Sequence, residues 1–219
     1  ELVSDCFYQG KLETGRENPP EYYDFLPEQF SKQVCWIDTS SLADKKGFEQ
    51  TSENNEDKWN EAEARVVMEL LRQILECEDF MEFIKEDLQP KEPPIGIICM
   101  YSKQRELIDR RKAEATWLSE IQDLVKVDTV DSYQGKENRI VIVSTVRNNP
   151  MLHPGFLRSP NRINVAISRA MERLFIIGAS RMWVGRNSSL PLGKVFNKIN
   201  SMVAEDRASL LPASQFLEK

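Results

Sequence analysis

Two arginines and one polar turn are the groups in this chain best suited to chemistry. Arg162 and Arg169 stand seven residues apart in the stretch 160–171. On a helix that spacing puts them on one face, two turns apart, with Asn164 and Ser168 on a neighbouring face. A guanidinium keeps its charge, and its planar fork matches phosphate oxygens, so such arginines suit a phosphate held on another domain. The plainer alternative is that both are solvated or paired with carboxylates. The turn Ser132-Tyr133-Gln134-Gly135-Lys136-Glu137 precedes a strongly apolar run. Gly135 allows a ligand close to the backbone. The Gln134 amide and the charges of Lys136 and Glu137 can serve the same ligand, and Glu137 can accept a hydrogen bond from a sugar hydroxyl. The plainer alternative here is a polar turn before a strand, and spacing alone leaves both alternatives open.

Other chemistries find less support. Neither a G-x-x-x-x-G-K-[ST] nor a G-x-G-x-x-G loop occurs, so the chain has no phosphate cradle of its own. No nucleophile elbow is present, and the lone histidine, His153, has no evident acid-base partner. Cys6, Cys35, Cys77 and Cys99 are widely spaced without a C-x-x-C pair, which argues against zinc and for reduced, mostly buried thiols in a cytosolic or nuclear protein. A small-molecule enzyme would need converging acid-base groups that the chain does not offer. No apolar run approaches the roughly 18 residues of a membrane span, and no membrane partner is expected. The formal net charge is −6. The acids crowd into residues 1–98, however, and from Arg139 to Arg186 eight arginines face one acid, Glu172. A basic face on an acidic body is compatible with that distribution.

The elements that must position these groups follow from periodicity. Residues 34–38, 95–100, 125–130, 140–146 and 174–179 read as buried strands. Asn60, with Glu63 three residues on, reads as the N-cap of an amphipathic helix over 61–77. Further helices are predicted over 79–88, 102–120, 160–171 and 193–204, the third opened by Ser159-Pro160. Residues 39–58 read as a long polar loop. Strands alternating with helices predict an α/β fold, a parallel sheet with helices on both faces. Ligands in such sheets are expected beyond the carboxyl ends of the strands.

Taken in order, these segments resemble a known family. "VDTVDSYQGKENRIVIVSTVRNN" (127–149) and "GFLRSPNRINVAISRAMERLFIIGA" (155–179) resemble motifs V and VI of superfamily 1 helicases. The branch is that of senataxin, the nonsense-mediated-decay helicase and the immunoglobulin-mu-binding helicase. "FYQGKL" (7–12) resembles the segment after that branch's Tyr-Arg-Met-His-Pro motif, and "WNEAEARVV" (59–67) its Asn-x-x-Glu-Ala helix start. "GIICMYSKQRELI" (96–108) resembles its strand-then-helix motif with Tyr and Gln, although Cys99-Met100 stands where the family often has Thr-Pro.

The resemblance implies a RecA-like P-loop NTPase fold, second motor domain, with no Walker A loop in this chain. It implies an irregular segment over 1–33 continuing from a first motor domain, the RecA-like domain over 34–205, and a C-terminal tail over 206–219. Arg169 would be the arginine finger. Gly135, Lys136 and Glu137 would bind ATP, and Arg162 would either reach the same phosphates or be structural. Tyr101, Ser102, Gln104, Ser132 and Gln134 would bind single-stranded DNA or RNA. The cofactor would be ATP with Mg2+, its metal ligands on the N-terminal RecA-like domain of the same polypeptide; other proteins stay open as partners. The fragment alone would be inactive. The alternative is a degenerate helicase-like module that binds nucleic acid or protein without hydrolysing ATP.

Overall fold

The computed structural model describes residues 1–13, 26–43, 46–54, 56–87 and 93–217. Six strands form one sheet: β1 (Val34–Asp38), β4 (Ile95–Cys99), β5 (Val125–Thr129), β6 (Asn138–Ser144), β7 (Ala170–Gly178) and β8 (Ser209–Pro212). Their order is β5-β4-β6-β7-β1-β8, and every pairing in the sheet is parallel. The carboxyl edge therefore carries Asp38, Cys99, Thr129, Ser144 and Gly178, and the amino edge Val34, Ile95, Val125, Asn138 and Ala170.

Apolar layers cover both faces, which is why the strands read as continuous hydrophobic runs rather than alternating ones. Successive side chains point to opposite faces. Ile95, Ile97, Ile140, Ile142, Phe175 and Ile177 pack with α2 (Glu61–Leu75), α3 (Glu78–Asp87) and α4 (Ser102–Glu114). Ile98, Val141, Val143, Leu174 and Ile176 pack with α1 (Leu2–Phe7), α5 (Pro160–Ser168) and α6 (Pro191–Ala204). Asn60 caps α2 as its sequence predicts, its Oδ1 accepting the Glu63 N–H at 3.0 Å.

Several expectations need correction. The segment 1–33 is not irregular throughout: Leu2 to Phe7 are helical, and Leu2 is buried in the core that α6 shares. Residues 14–25 of that segment lie outside the described residues. The tail assigned to 206–219 contains β8, an edge strand that pairs with β1 from Cys35↔Ser209 to Asp38↔Pro212. Short strands are hard to read from sequence when a polar residue such as Ser209 begins them. The 39–58 stretch holds a 3-10 turn at Thr39–Ser41 and the antiparallel pair β2 (Gln50–Thr51) and β3 (Lys58–Trp59). The predicted helix over 102–120 ends at Glu114, followed by a separate 3-10 turn at Thr116–Leu118.

Candidate functional site

The turn between β5 and β6 must bring the chain back across the sheet in eight residues, and buried side chains fix its path. Val130 N–H donates to the Cys99 carbonyl at 3.1 Å. Tyr133 is fully buried, and its hydroxyl donates to Asn138 Oδ1 at 2.8 Å. Gly96 makes room for that contact: a Cβ there would stand 2.2 Å from the Tyr133 hydroxyl. Gly135 follows at φ +80, a conformation that favours glycine, and a Cβ at 135 would meet no atom within 4 Å. The backbone at this point is open on its outer side, as a bound ligand requires.

Arg169 lies directly beside this turn. It is the C-cap of α5, and its carbonyl accepts the Asn138 N–H at 3.1 Å. The half-buried guanidinium donates to Val165 O at 3.2 Å, to Ser168 Oγ at 2.8 Å and to Lys136 O at 3.5 Å. All three acceptors are neutral, and among the described residues no carboxylate pairs with it. A cation is thus held at the amino edge with its charge uncompensated. Glu137 is exposed next to it. Lys136 is turned to other work: its Nζ pairs with Asp128 at 3.1 Å and lies 5.8 Å from the Tyr133 ring centroid.

Gly135, Lys136, Glu137 and Arg169 therefore gather at the amino edge, not beyond the carboxyl ends where ligands were expected. The reason is chain direction. α5 returns from the carboxyl side, so its last residue sits where β7 begins, beside the start of β6. An uncompensated cation, an open glycine and an exposed carboxylate form a donor set that fits the terminal phosphate and sugar of a nucleotide. Among the described residues no group of three or more His, Cys, Asp or Glu could hold a metal ion.

Of the two alternatives for Arg162, the geometry favours the structural one over a place at the ATP phosphates. It stands at the other end of α5, about 10 Å away along the axis, and its Nε and Nη2 donate to the Asp131 carboxylate at 2.9 and 3.0 Å. Its guanidinium also lies 4.6 Å from the Phe156 ring centroid. Phe156 in turn packs on Tyr101 at 4.3 Å between centroids. Asp131, Arg162, Phe156 and Tyr101 thus form a column across the carboxyl edge. Burial pushes the Tyr101 hydroxyl up to about 12, so it is a neutral donor at ordinary pH. Ser102, at the first turn of α4, and Ser132 and Gln134 are exposed. Ser132 Oγ accepts from Thr129 Oγ1 at 3.2 Å.

Gln104 is a correction. It is fully buried, so it cannot touch a nucleic-acid backbone. Its Oε1 accepts the Asn60 N–H at 2.7 Å, and its Nε2 donates to Asn60 O at 3.2 Å and Ser144 Oγ at 3.0 Å. The family resemblance had implied a nucleic-acid contact for Gln104; its partners here lie 40 or more residues away in the chain.

The basic stretch is also less bare than its arginines suggest. Arg147 is buried and pairs with Glu49 at 3.1 Å, while Arg139 pairs with Glu172 at 3.4 Å. Arg181 donates to Asn148 Oδ1 at 2.7 Å and covers the Phe48 ring. Arg158 and Arg186 are exposed on the carboxyl side. Sequence reading did not single out Phe156, Asp131 or Glu49. The apolar neighbours of the two Arg-bearing segments were the available signal for Phe156; nothing local marks Glu49 as the partner of Arg147.

A family model described as "AAA domain" matches residues 1–181. The chain is 44% identical over 91 residues to Helicase required for RNAi-mediated heterochromatin assembly 1 of Schizosaccharomyces pombe, covering 41% of this chain and 9% of that protein. It is 29% identical over 187 residues to Regulator of nonsense transcripts 1 of Caenorhabditis elegans, covering 83% and 16%. It is 28% identical over 188 residues to ATP-dependent helicase NAM7 of Saccharomyces cerevisiae, covering 83% and 17%. The chain thus spans less than a fifth of the length of each of these relatives.

Proposed function

From the premise that the chain belongs to the AAA-domain family, as a RecA-like domain of the superfamily 1 helicases of the nonsense-mediated-decay type, we propose that it is the second motor domain of an ATP-dependent helicase or translocase acting on single-stranded DNA or RNA. The observation that carries this reading is the uncompensated Arg169 guanidinium beside the open backbone of Gly135. Arg169 acts as the arginine finger: it meets the γ-phosphate when a first motor domain closes over the nucleotide. Transition-state charge on the transferring phosphoryl then has a preorganised cation to meet, the role worth about 10³–10⁵ in rate for such residues. Glu137 accepts from the ribose, and the Gly135 backbone lies against the nucleotide. Lys136, already neutralised by Asp128, orients the turn rather than touching phosphate. Mg2+, when bound with ATP, supplies further charge neutralisation at the phosphates.

The carboxyl edge takes the nucleic acid. Tyr101, Ser102 and Ser132 offer neutral donors to phosphate and sugar, with Arg158 and the Arg162 column beside them and Gln134 on the turn that leads from them to Gly135. Such a grip is tolerant of sequence and weakened by salt. The 131–137 turn joins the two edges, so cleft closure at Arg169 is felt where the strand is held. Replacing Arg169 by Ala in the full-length protein tests the reading: hydrolysis is lost while ATP binding stays within a few-fold. Undiminished hydrolysis would refute it.

A further inference from the structure

Glu63 is a carboxyl group that the reading above leaves unused. It is fully buried at the start of α2, and no cation lies among the groups that act on it. A capping box would turn its side chain back to the Asn60 N–H. Here Gln104 holds that N–H, and the Glu63 carboxylate reaches instead to the end of β6. It accepts the Val146 N–H at 2.8 Å, Ser144 Oγ at 2.7 Å and Thr145 Oγ1 at 3.4 Å. Asn60 Nδ2 donates to the Val146 carbonyl at 3.2 Å. Both polar groups of the Val146 peptide are therefore held by the first turn of α2.

What they hold is unusual. Val146 has φ +70, in the left-handed region where a β-branched residue is a genuine outlier. It is fully buried, and the connection to α5 departs from it. Arg147, next in line, donates to His153 O at 3.1 Å; a Cβ on Gly155 would come 2.8 Å from the Tyr101 hydroxyl; Phe156 then carries Arg162. The direction taken at Val146 thus decides where the Tyr101–Phe156–Arg162 column stands. Strain of this kind persists where surrounding contacts impose it.

We propose that Glu63 is a positioning residue: with Asn60 it clamps Val146 in the left-handed conformation and thereby sets the carboxyl-edge column for nucleic acid. The functional half of this inference rests on the reading above; the structural half does not. Burial pushes the Glu63 carboxyl up to about 7, so the clamp titrates near neutrality. The groups facing it are Ser144, the last residue of β6, and Thr145 and Val146 just after it, with Gln104 of α4 one hydrogen bond behind Ser144. Cys99 of β4, paired with Ser144 in the sheet, is the other titratable group, and burial keeps its thiol protonated. Above pH 7 the carboxylate accepts every surrounding donor.

The test uses the full-length protein with Glu63→Gln, Val146→Gly and the double variant. Its primary readout is hydrogen exchange, at fixed pH, of the Asn148 and His153 amides, neither of which touches Glu63. Glu63→Gln should speed both about tenfold, the loss of one hydrogen bond to a charged group. The double variant should return toward the wild-type rate, because glycine adopts a positive φ unaided. Should Glu63→Gln fail to fold, Val146→Gly alone decides. Wild-type exchange in Glu63→Gln, or exchange in Val146→Gly faster than in the wild type, overturns the clamp.

The second readout is nucleic-acid-stimulated ATP hydrolysis. Glu63→Gln should raise the half-saturating nucleic-acid concentration about tenfold, leave the rate without nucleic acid unchanged, and be rescued by Val146→Gly. A lowered Tm with unchanged half-saturation shows a structural role only and overturns the positioning. A wild-type protein that hydrolyses no ATP removes the functional reading above, while hydrogen exchange still decides the clamp.

Discussion

The amide of Asn138 donates to the carbonyl of Arg169 at 3.1 Å, so the first residue of β6 and the cap of α5 move as one piece. Their side chains are tied as well: the Arg169 guanidinium reaches the Lys136 carbonyl, and Asn138 Oδ1 receives the buried Tyr133 hydroxyl. The candidate nucleotide edge is thus built from backbone and buried groups rather than from mobile side chains.

That construction predicts how conservative changes at 169 behave. Lysine keeps the charge but loses the fork that is anchored to Val165, Ser168 and Lys136 at once. Arg169→Lys in the full-length protein should therefore hydrolyse ATP nearly as poorly as Arg169→Ala. Steady-state turnover with nucleic acid in excess is the measurement, and a lysine variant near wild type would show that charge alone suffices.

Gly96 should tolerate no side chain. A Cβ would lie 2.2 Å from the Tyr133 hydroxyl and 2.4 Å from Asn138 Oδ1, inside the sheet. Gly96→Ala should cost about 1–3 kcal/mol, read as a lower midpoint in denaturant. It should also weaken ATP hydrolysis, because the displaced Tyr133 shifts the 135–137 turn. Unchanged stability would mean that the turn relaxes freely.

Gln104→Leu separates the corrected role from the expected one. It leaves the Asn60 N–H without its acceptor in a buried place, which costs about 1–3 kcal/mol. Nucleic-acid affinity measured well below the melting temperature should stay within a few-fold. A large loss of affinity at unchanged stability would restore Gln104 to the nucleic-acid surface.

The Glu63 carboxyl also predicts a pH dependence of stability. Its folded value is raised from 4.5 to about 7, so the folded state binds a proton that the unfolded state releases. The group's contribution is fully present below the unfolded value and is lost as pH rises toward 7, by about 3 kcal/mol in all. Denaturation midpoints from pH 4 to 8 should fall across that window relative to Glu63→Gln, in which the slope disappears. Parallel curves would show the carboxyl to be ionised throughout.

Much of this protein is decided locally. The apolar run at 95–98, the β-branched run at 140–143, the Asn60 cap and the Ser159-Pro160 helix start dictate their elements locally. Alternation of strand and helix leaves few ways to bury both faces of the strands, so the parallel sheet was legible. So was the grouping of Gly135 to Glu137 with Arg169, through the resemblance of two motifs. What the chain order conceals is partnership across distance. Arg162 and Arg169 look equivalent at a spacing of seven, yet a parallel sheet sends the two ends of one helix to opposite edges, one to Asp131 and the other to the start of β6. Gln104 looks exposed because nothing near it announces Asn60 and Ser144. Glu63 reads as half of a local cap, and only the packing of α2 over the end of β6 turns its carboxylate toward Val146. Periodicity and propensity act over a few residues and belong to the sequence. Which polar group is desolvated, and which donors meet it there, belongs to the tertiary structure, because burial is a property of the whole packed chain.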